Sequence, residues 1–423
     1  MKNKLIVTGK EENMKKLSKI IAACCAVLML AGCSTQTSTK DMSKESSLTK
    51  TSKSQETGDA TETVPAETVQ TESASGEINV TDLCGREVTL EKPAERVVLT
   101  FNFEEYFAVT GEEGISKIVG WSRKYWEGRR QSSWDVFTEK FPELKDIPDV
   151  GYVPKNTFNV ETVISLKPDL VLMAKNDYES VQTDLERLNA AGIPVIFVDY
   201  HLQTMDNHTN STLLIGKVMG KEQQAQALVD FYKEQTDIVT ERMKKAGADL
   251  EKPKVYVEFS EAAGPGTFGA SYGKQMWGAL IDQCGGDNIT RDLVEGASAP
   301  VMPEQVLAAN PDIIIFAGNQ FADSDVNVGL GYTSDKETAA RNLKSYGDRP
   351  GWSEINAVKN GQMYALYHDL SRHIFDFAGL QYFAKTIHPE LFEDLDPDKN
   401  LKEFHDKFYP VEYKGTWFVS LED

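Results

Sequence analysis

The pattern of hydrophobic and polar positions predicts two α/β lobes along this chain. Short aliphatic runs recur in two series, and the segments between the runs are long enough for helices. The runs span 96–101, 115–121, 169–174 and 194–200 in the first series, and 254–260, 312–318 and 362–367 in the second. Such uninterrupted apolar runs are typical of parallel strands buried on both faces. A β-hairpin is predicted to precede them, because residues 77–90 alternate and turn at Cys84-Gly85-Arg86.

A segment with a different period separates the two series. Residues 221–245 contain neither Pro nor Gly, and their apolar side chains fall roughly on one helical face. These side chains are Ala225, Leu228, Phe231, Tyr232 and Ile238. We therefore predict two Rossmann-like α/β lobes joined by one long helix, with a ligand cleft between the lobes. The predicted bounds are 77–216 for the first lobe, 217–250 for the connecting helix and 251–423 for the second lobe.

Two stretches that lie 143 positions apart repeat one design. Each copy has a short apolar helical segment, a Pro-Asp turn that stops it, and a buried strand. The copies run over 159–172 and 303–315, and an acidic residue opens the helical segment of each, Glu161 in the first and Glu304 in the second. A helix followed by Pro-Asp is common in α/β proteins, but the shared Glu favours two related lobes.

The N-terminal segment, residues 1–32, is predicted to be a lipoprotein signal peptide. Its apolar run, 20–30, comes after several lysines and is too short to cross a bilayer. The ending Leu30-Ala31-Gly32-Cys33 resembles the bacterial lipobox, in which the Cys becomes lipidated. The alternative is an ordinary signal peptide with an incidental Cys at position 33. Translation could start at Met1 or at Met14.

Residues 33–76, which begin with the lipidated Cys, are predicted to form a disordered linker. They are rich in Ser, Thr, Glu, Gln and Lys and have almost no large apolar side chains, so they cannot form a core. We therefore expect the folded part to be anchored by lipid rather than to span the membrane. The outer face of the cytoplasmic membrane is the preferred location, with an inward-facing outer-membrane site as the alternative.

The composition narrows the classes of partner. The formal net charge is −20, which would repel a phosphate backbone, so no nucleic-acid partner is expected. Of the five cysteines, only Cys84 and Cys284 belong to the predicted folded part, one in each lobe. Two unpaired thiols are expected, without a disulfide framework or a Cys-based metal site.

The whole order of elements after the linker resembles the helical-hinge solute-binding proteins of ABC importers for ferric siderophores, haem and cobalamin. The resemblance rests on the lipobox, the hairpin with Asp82-x-x-Gly85-Arg86, the lobe–helix–lobe order and the segment 351–364 near the end of the second lobe. It implies a monomeric, extracytoplasmic binding protein that delivers a small-molecule ligand to a membrane permease dimer with a cytoplasmic ATPase. It also implies that Glu161 and Glu304 dock to Arg residues of the two permease subunits. The alternative is that both are first-turn residues favoured by the helix dipole.

The segment 121–130 is the first candidate for the ligand site. It places four cations and three aromatic side chains in a loop that would come after a strand, within a strongly acidic protein. Guanidinium groups pair with carboxylates and aromatic faces stack on flat conjugated groups, so an anionic, aromatic, metal-bearing molecule fits this chemistry. The candidate ligand-binding residues in the segment are Trp121, Arg123, Tyr125, Trp126, Arg129 and Arg130. A solvated basic loop is the alternative.

Other candidates come after predicted strands in the same way. Tyr152 and Tyr272 are candidate contacts, with His201 and Asn319 after two further strands. Arg372 and His373 stand where a helix is expected to begin and could meet an anion. His368 and His373 are the candidates for completing the coordination of a chelated metal.

The ligand class remains open among related chelates. The six His are scattered and form no His-x-x-x-His pair, so a bare metal bound only by protein groups is the weaker hypothesis. The Arg-rich segment favours a ferric siderophore over haem or cobalamin, and no protein-bound cofactor is expected. No nucleophile elbow, Walker A loop or dinucleotide fingerprint is present, so the protein is not predicted to be an enzyme. The alternatives from other classes are a lipid-anchored hydrolase and a surface adhesin or haem-capturing protein without a permease.

Overall fold

The structure, a computed structural model, describes residues 76–247, 249–321 and 323–423. The predicted signal peptide, the lipidation site Cys33 and nearly all of the predicted linker lie outside the described residues. Within the described ranges, no helix combines the length and apolar character that crossing a membrane requires.

The described chain opens with the predicted hairpin. Strands β1 (Ile78–Thr81) and β2 (Glu87–Leu90) pair in antiparallel fashion. The Asp82 carboxylate accepts hydrogen bonds from the backbone N–H groups of Cys84 and Arg86, both at 3.0 Å, and Gly85 adopts a φ of +77°. This arrangement is an Asx-stabilised turn with Gly at the left-handed position, and it confirms the predicted turn.

The first lobe is built on a four-stranded parallel sheet with the order β4-β3-β5-β6. All four strands are almost entirely buried, as the aliphatic runs predicted. Their bounds are β3 (Val97–Leu99), β4 (Ile118–Trp121), β5 (Leu170–Ala174) and β6 (Val195–Val198). The helices of this lobe are α1 (Phe103–Ile115), α2 (Arg123–Arg129), α3 (Gln131–Lys140), α4 (Val160–Leu166), α5 (Gln182–Ala190) and α6 (Met205–Met219), with 3₁₀ turns at Pro142–Lys145, Val153–Lys155 and Lys175–Val181.

The connecting helix α7 (Glu222–Ala246) is 25 residues long, as the uninterrupted amphipathic segment predicted. Its buried face includes Leu228, Phe231 and Tyr232. The Tyr232 hydroxyl lies 3.0 Å from His208 Nδ1 in α6 and donates to Asp376 Oδ1, also at 3.0 Å, at the start of a helix of the second lobe. The long helix is therefore bonded to both lobes. The predicted lobe boundaries at 216 and 250 stay predictions.

The second lobe contains a five-stranded sheet with the order β13-β12-β11-β7-β9, parallel except for β13. Its strands are β7 (Lys254–Ser260), β9 (Asp287–Asn288), β11 (Ile313–Gly318), β12 (Met363–Tyr367) and β13 (Phe418–Ser420), and a separate short pair consists of β8 (Ala270–Ser271) and β10 (Ala299–Pro300). The helices are α8 (Trp277–Gln283), α9 (Pro303–Ala309), α10 (Lys336–Ser345), α11 (Asn356–Lys359), α12 (Phe377–Ile387) and α13 (Pro397–Phe408). The 3₁₀ turns are Gly264–Gly266, Tyr346–Asp348, Trp352–Glu354, His368–Ser371 and Pro389–Leu391.

The sequence repeat is also a repeat of structure. Helices α4 and α9 are both seven residues long and end at a residue in the left-handed conformation, Lys167 (φ 48°) and Asn310 (φ 49°). The Asp of each Pro-Asp turn then ties the copy to the first strand of its own sheet. Asp169 accepts from the Arg96 backbone N–H at 2.8 Å, and Asp312 accepts from the Lys254 backbone N–H at 3.0 Å. The turn therefore registers the strands in the same way within each lobe.

The two predicted unpaired cysteines of the folded part both lie within the described residues. Cys84 is partly buried and Cys284 is buried, and both are free. Burial raises the pKa of the Cys84 thiol to about 11 and raises that of Cys284 further, so neither thiol is activated.

Candidate functional site

The carboxyl ends of strands from both sheets border a cleft of about 560 Å³. Its lining residues come directly after strands: Phe101 after β3, Asp177 after β5, His201 after β6, Glu261 after β7, Asn319 after β11 and His368 after β12. Ligands bind beyond the carboxyl ends of strands in open parallel sheets. The predicted cleft between the lobes is this cavity, and the predicted His201 and Asn319 are among its lining residues.

Aromatic rings form one wall of the cleft. Tyr125 and Tyr152 stack with their centroids 3.9 Å apart and their planes 18° apart. The Phe101 ring lies 6.1 Å from Tyr125 and 6.4 Å from Tyr152. Tyr272 also lines the cavity. Burial raises the pKa of Tyr152 and Tyr272 well above the ordinary tyrosine value, so both are neutral and offer flat rings and hydroxyl groups to a ligand.

The segment 121–130 is helical rather than a loop, which corrects that part of the prediction. Residues 123–129 form α2, and Arg123 lies 3.4 Å from Glu127, one turn away. Such an i,i+4 pair supports a helix. Because a helix distributes its side chains around its axis, only Tyr125 and Arg129 of the segment line the cleft.

The two Trp residues of the segment lie in the hydrophobic core and do not line the cleft. Trp121 and Trp126 are fully buried, and both pack edge-on against Phe103, with centroid distances of 5.0 and 4.6 Å. Their prediction as ligand contacts is therefore not supported by their placement. Burial of these large indole rings beneath the cleft removes apolar surface from water and stabilises the fold.

Arg130 is buried beneath the cleft in an ion-pair cluster. Its guanidinium donates to Glu104 Oε1, and its Nε lies 3.2 Å from Asp369 Oδ2. Burial acts to lower the pKa of Arg130, but Asp369 and Glu104 outweigh it and hold the pKa well above the usual value. The charge of Arg130 is therefore neutralised by carboxylates of the protein itself. This placement argues against its predicted role as a direct ligand contact.

Arg129, Lys155 and Arg372 are the cationic side chains that line the cleft. Arg129 and Lys155 make no ion pair with any residue in the described part of the chain. Arg372 lies over the Phe101 ring, 5.5 Å from its centroid, and reaches Asp369 only at 3.4 Å. Arg123 is directed to Glu127 instead. The cleft therefore keeps cationic groups available for an anion.

His368 lines the cleft as a neutral imidazole. Burial, followed by the charge of Arg372, lowers its pKa to about 3. Trp277 donates its indole N–H to His368 Nδ1 at 3.4 Å, and the Tyr272 hydroxyl lies 3.5 Å from the same atom. Indole is a donor only, so Nδ1 accepts and the ring proton resides on Nε2. In this tautomer His368 offers an N–H donor rather than a metal ligand.

His373 is buried and bonds across to the first lobe. Its Nδ1 lies 2.7 Å from Glu105 Oε1 and 3.7 Å from Glu104 Oε2. These three side chains place their ligand-type atoms within 4.8 Å of one another, a spacing that could hold a metal ion. However, Glu104 is paired with Arg130 and Glu105 is hydrogen-bonded to His373, and all three residues of the group are buried away from the cleft. The cluster is an internal ion-pair network, so His373 does not face a ligand in the cleft.

The two repeated Glu residues lie on the surface. Glu161 is the second residue of α4 and Glu304 the second residue of α9, and neither side chain is buried. Glu161 forms an ion pair with Arg187, whereas Glu304 makes no ion pair within the described ranges. Because each helix runs back towards the start of its next strand, its first turn lies at the edge of the sheet that bears the cleft.

Several residues in the cleft or beneath it were not predicted from the sequence. Beneath the cleft, Glu104 and Glu105 come shortly after the predicted strand 96–101, and Asp369 comes shortly after the strand 362–367, as the predicted candidates do after their own strands. Asp177 and Lys155 also line the cleft. Cations and aromatic rings are the residue types that predict an anion site, so the carboxylates that neutralise or accompany those cations carried no such signal.

Comparison with known proteins agrees with this geometry. The family model described as periplasmic binding protein matches residues 117–370. The chain belongs to the periplasmic binding protein family. Its fold is that of the TroA-like, class III members of this group, with two α/β lobes joined by a long helix. The family and its structural neighbours are solute-binding proteins rather than enzymes.

Individual relatives cover most of the chain. The uncharacterized ABC transporter substrate-binding lipoprotein YvrC of Bacillus subtilis is 26% identical over 387 residues, which are 90% of this chain and 100% of YvrC. The molybdate-binding protein MolA of Haemophilus influenzae is 22% identical over 369 residues, 81% of this chain and 93% of MolA. The crystal structure of the TroA-like periplasmic binding protein FepB from Veillonella parvula has a TM-score of 0.76 and 38% identity, covering 81% of this chain and 99% of that one.

Proposed function

We propose that this protein is the substrate-binding component of an ABC importer and that it captures an anionic metal chelate, specifically a ferric siderophore. The observation that carries the proposal is the pairing of available cations with an aromatic wall in one cleft. Arg129, Lys155 and Arg372 line it together with the stacked Tyr125 and Tyr152. Guanidinium groups bind anionic oxygens, and flat rings pack against the conjugated donors of a chelate.

The size of the cleft supports a chelate over a bare ion. A cavity of about 560 Å³ lies within the range typical of small-molecule sites. The neutral His368 presents a ring N–H, and the tyrosine hydroxyls add further hydrogen-bond donors. Hydrogen-bond donors and cations around a cavity of this size bind the outer oxygens of an anionic chelate, while the organic ligand coordinates the metal.

The family and the protein surface together suggest the partners. We propose docking of Glu161 and Glu304 to cationic residues of the two permease subunits, supported by their surface positions and by their equivalence in the two lobes. The permease and its cytoplasmic ATPase would supply the transport energy. The lipobox ending at Cys33 supports anchoring by lipid on the outer face of the cytoplasmic membrane, and the lipoprotein YvrC is a relative of similar extent. We propose that the anchored protein acts as a monomer.

Isothermal titration calorimetry with a panel of ligands tests the proposed ligand class. The panel contains ferric catecholate and ferric hydroxamate chelates, haem, cobalamin, molybdate and a nickel salt. Saturable binding of a ferric chelate is expected, with affinity reduced on the order of tenfold or more in Arg129→Gln/Arg372→Gln, because each loses a charge-assisted hydrogen bond.

Arg341→Gln is the matched control, since Arg341 is an exposed Arg on α10 outside the cleft. It should bind as the unaltered protein does. Binding of only haem, cobalamin, molybdate or nickel would replace the ferric chelate while keeping the transport role. Absence of binding across the panel would contradict the proposed ligand class.

A further inference from the structure

Asp177 is a cleft carboxyl group without a partner. It lies on the 3₁₀ segment Lys175–Val181 that comes after β5, and it lines the cavity. It is 5% exposed. The structure gives its carboxyl group no hydrogen bond or ion pair with any residue of 76–247, 249–321 or 323–423. Its oxygens are not enclosed by protein, so the cavity is the side from which water or a ligand can supply a hydrogen-bond partner.

The charged groups on the surrounding elements do not supply that partner. Lys175, on the same segment, is bound to Asp199 after β6, with Nζ 3.2 Å from Oδ2. Asp184 of the packed helix α5 faces Arg187 at 3.8 Å. Glu179 on the segment itself is exposed to solvent. Lys155, from the packed turn Val153–Lys155, makes no hydrogen bond to Asp177.

We propose that Asp177 determines ligand specificity by acting as a neutral carboxylic acid that donates a hydrogen bond to an anionic oxygen of the bound chelate. The inference rests on the proposed function. An ionised carboxylate at this place would repel the anion that Arg129 and Arg372 attract, whereas the protonated group adds a donor to the same oxygen-rich surface. The role selects ligands that present an acceptor at this side of the cleft.

Protonation of Asp177 is consistent with its surroundings. Burial raises the pKa of Asp177 to about 7. A bound anion favours the protonated form still more, so the complex takes up a proton from solvent whenever the free protein holds Asp177 ionised. Binding is therefore strongest below about pH 7 and weakens as the pH rises above it. When binding takes up one proton, the affinity falls by at most roughly tenfold for each unit of pH increase.

The proton uptake can be measured directly in the full-length protein purified in detergent. Each panel ligand that binds is titrated by calorimetry at pH 6.0 and 8.0, in two buffers with different ionisation enthalpies. Uptake approaching one proton per ligand is expected at pH 8.0 and much less at pH 6.0. The dissociation constant of the unaltered protein is expected to rise about tenfold between the two, in line with a group that titrates near pH 7.

Two substitutions separate the donor from the charge. Asp177→Asn keeps an N–H donor without a titratable proton, so it should bind with similar affinity at both pH values and show no proton uptake from this site. Asp177→Ala removes the donor and should bind about tenfold more weakly at pH 6.0.

Glu179→Gln is the matched control on the same segment and should change neither the affinity nor the proton uptake. Glu261→Gln removes the other cleft carboxylate and should leave the proton uptake in place.

The failure of this inference is distinguishable from that of the proposed function. Equal affinities for Asp177→Asn and Asp177→Ala, or affinity that increases with pH, would overturn the donor role while the ligand class stands.

A ligand-free measurement covers the case in which no panel member binds. The melting temperature of Asp177→Asn minus that of the unaltered protein should grow from pH 5 to pH 8. A pH-independent difference would show that Asp177 ionises normally and would also overturn the inference.

Discussion

Glu105 of the first lobe accepts a hydrogen bond from His373 of the second lobe, with Oε1 2.7 Å from Nδ1. Burial acts to raise the pKa of Glu105, but His373 outweighs it and lowers the pKa, so the carboxylate is ionised. A second interlobe pair joins Arg130 to Asp369 at 3.2 Å. A buried hydrogen bond and a buried ion pair therefore bridge the two lobes beneath the cleft and fix the spacing of its walls.

The first prediction concerns the central cation of this network. Arg130→Met should lower the free energy of unfolding by about 3–5 kcal/mol, because it leaves Glu104 and Asp369 buried without their shared counter-charge. Urea unfolding followed by circular dichroism measures the loss. Arg123→Met is the matched control. Its pair with Glu127 is partly exposed, so a change below about 1 kcal/mol is expected. Equal effects of the two substitutions would contradict the buried network.

The second prediction concerns acid stability. Burial favours protonated Asp369, but the charges of Arg130 and Arg372 outweigh it and hold the pKa well below the usual range. A carboxyl whose folded pKa is depressed stabilises the fold above its unfolded pKa, about 3.9, and loses that contribution as the pH falls towards the folded value. The unfolding free energy of the unaltered protein should therefore fall more steeply from pH 4.5 to 2.5 than that of Asp369→Asn. Parallel curves would refute the assignment.

Much of the fold could be predicted from the sequence, because buried strands leave continuous aliphatic runs and an uninterrupted amphipathic helix leaves a strong periodic signal. The run 194–200 became β6, and the segment 221–245 became α7 with a shift of one residue at each end. The repeated Pro-Asp turns marked equivalent strands in the two sheets. The short strands β9 and β10 have two residues each, too few for any period to be visible.

The site was only partly predictable. Residues chosen because they come after strands, such as His201 and His368, do line the cleft. Of the residues chosen for their side-chain chemistry alone, some line the cleft and others do not. Arg129 faces the cleft, whereas Arg130 lies beneath it. Arg129 is the last residue of α2, and Arg130 is the non-helical residue between α2 and α3, with φ −128° and ψ 51°. A sequence interpreted as a loop does not reveal that the two side chains diverge at this break.

The third prediction is a small conformational change on ligand binding. Helix α7 is bonded to both lobes through Tyr232, and the Arg130–Asp369 pair would have to break for a wide opening. Small-angle X-ray scattering of the protein with and without its ligand should therefore give nearly equal radii of gyration. A decrease typical of wide jaw closure would contradict this rigid connection.

The fourth prediction concerns docking to the permease. Glu161→Arg/Glu304→Arg should abolish ligand uptake by cells while leaving ligand affinity and the melting temperature nearly unchanged, since both side chains lie at the surface. Glu241→Arg, a charge reversal on α7 next to Lys244, is the control and should transport normally. Normal uptake by the double variant would exclude docking through these residues and would favour a capture protein without a permease.

The single substitutions should differ in their effects. Glu161 is already paired with Arg187, so part of its charge is neutralised before docking, whereas Glu304 has no ion-pair partner in the described part of the chain. A cation of the permease must compete with Arg187 in the first lobe and meets no competitor in the second. Glu304→Arg should therefore reduce uptake more than Glu161→Arg, and Arg187→Ala should leave uptake equal or raise it. A larger loss from Glu161→Arg would show that the Arg187 pair does not weaken that contact.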